Sequence, residues 1–194
     1  MSALMIETAA EFVTRLEEGE RWLEVMQGRL MRLSPPDEAH GNVVRNLATS
    51  LSGYFRKQRE LFPCFELSLL ISEQPLTIYS PALCCFRVAK GLEPMDQLLT
   101  TTVPELVVEV ASSNERREAM AERIRNYQSW GVPHVWVFDP DSQHVHVFSP
   151  SERPQMLKEI QTLTSRALLP GWEILVGDVF LDPTWARKGM KDER

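Results

Sequence analysis

A chain of 194 residues with 43% hydrophobic content can fill one core, and a formal net charge of −6 denies it the broad basic footprint of a protein that tracks a polyanion. Its longest apolar runs, such as Leu106–Val110, fall far short of the ~20 residues that cross a bilayer, and Glu7, Glu11, Glu17 and Glu18 are incompatible with a secretory leader, so a soluble cytoplasmic protein with no membrane partner is expected. Three cysteines, Cys64 apart from the adjacent Cys84 and Cys85, allow neither a disulfide framework nor a Cys-x-x-Cys zinc knuckle, and they read as small buried apolar groups.

Thr8-Ala-Ala-Glu11 is a capping-box signature, and Phe12, Val13 and Leu16 follow at helical spacing, so a short helix is predicted from about Thr8 to Glu18, ended by Gly19. Trp22–Met26 and Arg29–Leu33 read as two strands of a hairpin around Gln27-Gly28. Pro35-Pro36 breaks the second strand. Asp37 is placed to cap a long helix whose Val43, Val44, Leu47, Leu51, Tyr54 and Phe55 recur at i+3 and i+4.

Short β-rich pieces are predicted over Phe65–Ser72, Thr77–Tyr79 and Leu83–Val88, with Pro81 between the last two, and a loop over Gly91–Thr102. Leu106-Val107-Val108-Glu109-Val110 is the run expected of a strand covered on both faces, and its one charge demands an explanation. Asn114 is the predicted cap of the next helix, which carries Met120, Ile124, Tyr127 and Trp130 on one face and stops at Gly131. Arg116, Arg117, Arg123 and Arg125 on this helix are the best candidates for a basic patch. Glu115, Glu118 and Glu122 interleave with them at ion-pair spacing, so a solvated mixed-charge face is the expectation.

His134–Phe138 reads as a buried strand, Asp139-Pro140-Asp141-Ser142 as a turn and His144–Phe148 as a strand, with further strands near Ile160 and Ile174. His144 and His146 share one face of their strand, but no third metal ligand is evident and a solvent-facing strand is expected. Tyr54, Phe55, Tyr127, Trp130 and Trp136 are explained as core by their spacing. The whole predicts a single α/β (α+β) domain over residues 1–186, a mixed β-sheet flanked by helices with an N-terminal β-hairpin, followed by a charged, fraying tail at 187–194.

Three stretches carry a resemblance: Trp22-Leu-Glu-Val-Met-Gln-Gly28 continuing to Ser34-Pro-Pro-Asp-Glu-Ala-His40, Val103-Pro-Glu-Leu-Val-Val-Glu-Val-Ala-Ser-Ser113, and Tyr127-Gln-Ser-Trp-Gly-Val-Pro-His-Val-Trp-Val-Phe-Asp-Pro140. In order and spacing they are similar to the Uma-two family of restriction-endonuclease-like proteins, part of the PD-(D/E)xK nuclease superfamily. The resemblance spans roughly residues 8 to 180. It implies a restriction-endonuclease-like fold in which an Asp, a Glu and a Lys converge on magnesium or manganese to hydrolyse a nucleic-acid phosphodiester.

By the same resemblance Glu109 matches the carboxylate on the central strand, a metal ligand. The other two positions depart. Ala82, in Ser80-Pro81-Ala82-Leu83, stands where the family carries its aspartate, and Arg123, four residues before Tyr127, stands where it carries its lysine. Alanine offers no oxygen, and arginine keeps the charge but not the compact ammonium. Glu24 matches an acidic position on the first hairpin. It is either a replacement carboxylate beside Glu109 or an exposed or ion-paired hairpin residue. Glu109 in turn is either a working ligand or a remnant satisfied by backbone or by Arg123. His40 falls near the start of the long helix, as a site neighbour or a structural contact. The expectation is therefore a weakened or inactive metal-dependent endonuclease, with magnesium or manganese as cofactor only if active. The alternative is a non-catalytic nuclease-fold module that binds nucleic acid or protein, with homodimer formation an option and DNA a partner that the acidic charge does not favour.

Overall fold

A computed structural model describes residues 5–6, 8–150 and 152–183, with the side chain at 90 left aside, so the expected tail at 187–194 and its boundary lie outside the described residues. Helix α1 (Ala9–Glu17) begins with the reciprocal capping box: the Glu11 amide donates to Thr8 Oγ1 and the Thr8 amide donates to the Glu11 carboxylate. Strands β1 (Leu23–Met26) and β2 (Arg29–Arg32) form the hairpin. Gln27 and Gly28 both adopt positive φ, 50° and 79°, as a two-residue primed turn requires. Asp37 caps α2 (Glu38–Phe55), accepting the His40 amide at 2.8 Å.

The middle of the chain departs from expectation. Strand β3 (Leu61–Phe65) was unforeseen because Pro63 argues against a strand, but β3 is an edge strand, where a missing amide is tolerated. The piece expected over Phe65–Ser72 breaks at Glu66, whose φ is 52°, and the chain passes there from one sheet to another as β4 (Ser68–Glu73). β5 (Leu76–Tyr79) and β6 (Leu83–Arg87) follow. The expected loop over 91–102 holds a 3-10 turn, Glu93–Asp96, and a short β7 (Leu99–Thr100) parallel to β4.

β8 (Leu106–Val110), α3 (Asn114–Trp130) and β9 (His134–Asp139) make a parallel β-α-β unit. The cap of α3 is Ser113 rather than Asn114: Ser113 accepts the Arg116 amide at 3.3 Å, and Asn114 is already helical. β10 (His144–Ser149), β11 (Glu152–Leu157), β12 (Thr162–Ser165), β13 (Leu169–Leu175) and α4 (Val176–Val179) complete the chain. β11, an exposed edge strand bearing Pro154, also went unforeseen, and Ile160 lies in the turn before β12 rather than in a strand.

Two large sheets result instead of one. The central six-stranded mixed sheet runs β11-β10-β9-β8-β6-β3, the five-stranded sheet runs β2-β1-β5-β4-β7, and β12-β13 form a separate ribbon. Alternation along β8 sends Leu106, Val108 and Val110 to the face covered by Val43, Leu47 and Leu51 of α2. Val107 faces the other side, with Met120 and Tyr127 of α3 and with Leu69 and Tyr79 from the five-stranded sheet. Helix α3 thus shares one apolar cluster with both sheets. A third cluster holds Phe12 of α1 against Val25 and Ile78 on the outer face of the smaller sheet. All three cysteines are free and buried, and among the described residues no helix is long and apolar enough to cross a membrane.

Candidate functional site

Period-two alternation on β8 puts Glu109 on the α3 side, 1% exposed, and helical spacing puts Arg123 and Tyr127 of α3 on one face turned toward it. Arg123, 4% exposed, donates from Nε to Glu109 Oε1 at 3.0 Å and from Nη2 to the same oxygen. Its other edge meets Glu24, 2% exposed, with Nη2 to Oε1 at 3.0 Å and Nη1 to Oε2. The Tyr127 hydroxyl donates to Glu109 Oε1 at 2.6 Å, the Ser80 amide donates to Glu24 Oε1 at 2.8 Å, and the Tyr79 ring lies 4.3 Å from the guanidinium carbon. One arginine therefore bridges a carboxylate from each large sheet.

The electrostatics follow from this packing. Burial by itself would lower the pKa of Arg123, but Glu109, then Glu24 and the Tyr127 phenol, reverse that and hold it well above its ordinary value. Tyr127 is pushed up as well, first by burial and then by the Glu109 carboxylate. The charge that looked unexplained in the apolar run of β8 is met by Arg123, which is not on a solvated face. Its neighbour Arg117 pairs instead with Asp139 and Asp141.

The hairpin does pack beside Glu109, yet Glu24 is neither exposed nor free to share an ion with it, because the guanidinium stands between the two. A hard divalent cation takes about six oxygen ligands. Here Glu24 spends both oxygens on Arg123 and Ser80, Glu109 spends Oε1 on Arg123 and Tyr127, and only Glu109 Oε2 is left without a hydrogen bond. Among the described residues no three His, Cys, Asp or Glu side chains are grouped to hold a metal, His144 and His146 included. The donor set does not fit a magnesium or manganese ion.

Ala82 and His40 take no part in this hydrogen-bond network. Ala82, 4% exposed, packs into the apolar cluster on the α2 side, and both residues line a cavity of about 480 Å³ that neither Glu24 nor Glu109 lines. His40 is 5% exposed and its Nδ1 has no hydrogen-bond partner. Burial first and Arg116 second hold its pKa below the ordinary 6.5, against the opposing pull of Asp37 and Glu109. Sequence reasoning took Tyr127 only as core; the Arg123–Tyr127 spacing of one helical turn was the available signal for its contact with Glu109. In the sequence Arg116 reads only as part of a basic patch, Trp22 only as the start of a hairpin strand and Ser80 only as a flank of Ala82; none is read as a site neighbour.

A family model described as "Putative restriction endonuclease", Uma2, matches residues 9–177. Among solved structures, the chain is similar to a crystal structure titled as a putative nuclease belonging to DUF820 from Anabaena variabilis, with a TM-score of 0.70 at 15% sequence identity over 81% of this chain and 89% of that one. At that identity the likeness is one of fold. A comparison with curated proteins found no match.

Proposed function

The chain belongs to the Uma2 family, whose description is "Putative restriction endonuclease", and from that premise we propose that it is a nuclease-fold binding module without metal-dependent hydrolysis. The observation that carries this reading is Arg123 seated between Glu24 and Glu109. The resemblance implies a divalent ion that would polarise a phosphodiester and activate water. In this chain an internal guanidinium already pairs with both carboxylates and offsets one of their two charges, and the third position is Ala82. Arginine stays protonated at ordinary pH, so it cannot serve as a base toward water. Tyr127 and Ser80 fix the carboxylates in the orientation that suits Arg123, which resists rearrangement around a cation.

The test is a manganese titration followed by both thermal unfolding and plasmid nicking. The expected outcome is no saturable rise in Tm and no cleavage above a Glu109→Gln control. Glu109 Oε2 is the one oxygen that favours the opposite reading. Saturable stabilisation together with nicking that Glu109→Gln abolishes would establish a working nuclease and overturn the proposal.

A further inference from the structure

On the α2 side of the central sheet, across from Glu109 and Arg123, an open groove of about 460 Å³ runs between the helix and the β3 edge. Its walls are Leu51 and Phe55 of α2, Pro63 and Phe65 of β3, and Leu83 of β6. Phe65 is 44% exposed and Phe55 is half-buried, so two large rings are left in contact with water. The one hydroxyl in the lining, on Ser52, already donates to the Thr49 carbonyl at 2.9 Å, and among the lining side chains Arg56 alone has donors to offer a ligand. Pro63 and Phe65 also line the cavity beside Ala82; the remaining groove residues do not.

The groove ends in unpaired positive charge. Arg56 lines it at the C-terminal end of α2, and Lys57 and Arg59 follow. All three are exposed, and their side chains make no hydrogen bond or ion pair with any described residue. Glu60 and the partial negative charge of the helix end oppose them and leave the rim net positive. Apolar walls that end in free cations complement a molecule with an apolar chain and an anionic head.

Size and edge chemistry narrow the choice. From Ala48 to Arg56 the groove follows α2 for about 12 Å, roughly the length of a ten-carbon chain, and its volume falls in the range of small-molecule sites. Eight residues line it, too few for a stable protein partner, which needs about 20–30 a side. Pro63 takes an amide from the β3 edge, so an added strand is a poor fit as well. We propose that this groove binds a free medium-chain fatty acid, its chain laid along α2 against Phe55 and Phe65 and its carboxylate at Arg56. The site uses no residue of the Glu24–Arg123–Glu109 cluster and stands apart from the non-hydrolytic reading.

The experiment is calorimetric titration of the whole chain with decanoate, octanoate and decyltrimethylammonium, each below its micelle-forming concentration, beside co-sedimentation with vesicles of phosphatidylglycerol and phosphatidylcholine. Decanoate is expected to bind saturably at one per chain, and octanoate about tenfold more weakly for its two missing methylenes. Decyltrimethylammonium should bind several-fold more weakly than decanoate, the size of an exposed charge contact. Arg56→Glu should erase that preference, Ala48→Phe should abolish binding by filling the groove, and Arg125→Glu on the exposed side of α3 should change neither. In the natural chain, absence of saturable heat with decanoate, several decanoates per chain, or equal affinity for the cationic probe each overturns the inference, whether or not a variant folds. Vesicle binding without decanoate binding overturns it in favour of a membrane surface.

Discussion

Burying the Arg123 guanidinium with Glu24 and Glu109 strips three ions of hydration, a penalty of several kcal/mol each by order of magnitude, which their mutual attraction must offset. Removing the cation alone strands two carboxylates. Arg123→Met is therefore expected to lower unfolding stability by about 3–5 kcal/mol, read from urea midpoints, whereas the triple variant Glu24→Leu, Arg123→Met, Glu109→Leu should regain most of it. Equal losses in the single and triple variants would show that packing rather than stranded charge sets the cost. His40 gives a second residue-scale prediction. Its folded pKa lies below 6.5, so between that value and the folded pKa the unfolded chain binds more protons, and stability falls as pH drops through that window. His40→Gln should flatten this fall below about pH 6.5, leaving a remainder of the same sign from His134, whose pKa burial also lowers. Parallel curves for the two proteins would refute it. Glu109 was legible in the sequence as a charge in an apolar strand. That Arg123 pairs with it was one of two open readings, because spacing along a helix does not say which way a long side chain turns.

At the scale of elements, local signals were read well where the deciding chemistry lies within four residues, as in the capping box of α1 and the Asp37 cap of α2. They failed where neighbours decide. Pro63 is tolerated only because β6 alone flanks β3, and Phe65–Ser72 divides because Glu66 takes a left-handed turn between two sheets. The end of α3 offers a clean measurement. Gly131 has φ 106°, and an added Cβ would meet nothing closer than Val103 Cγ1 at 3.9 Å, so sterics with neighbours play no part. Gly131→Ala is expected to cost roughly 1 kcal/mol from the left-handed backbone alone, and Gly131→Asn less, as measured by thermal unfolding. A neutral alanine variant would mean that the helix end shifts to another cap.

For the molecule as a whole, the decisive feature is that among the described residues no strand pairing joins the two large sheets; they meet through an apolar cluster shared with α3. The contacts across that seam include the apolar cluster of Leu69, Tyr79 and Tyr127, the Asn126 to Tyr79 hydrogen bond at 2.7 Å, the Gln27 to Glu122 hydrogen bond at 3.2 Å, and the Glu24–Arg123–Glu109 bridge. The sequence announced a hairpin followed by a mixed sheet but could not announce a second sheet, since β1, β4, β5 and β7 assemble from segments far apart in the chain. In this arrangement the bridge couples two units that could otherwise open separately. Amide exchange in the natural chain should protect β5 and β8 to a similar degree, because opening one exposes carboxylate or guanidinium charge from the other. In Arg123→Met the stranded Glu24 is best solvated by releasing the hairpin side. Protection should then drop in Leu23–Met26 and Leu76–Tyr79 by more than in Leu106–Val110. If all three segments lose protection equally, the sheets unfold as one body without the bridge, and its role is confined to the site.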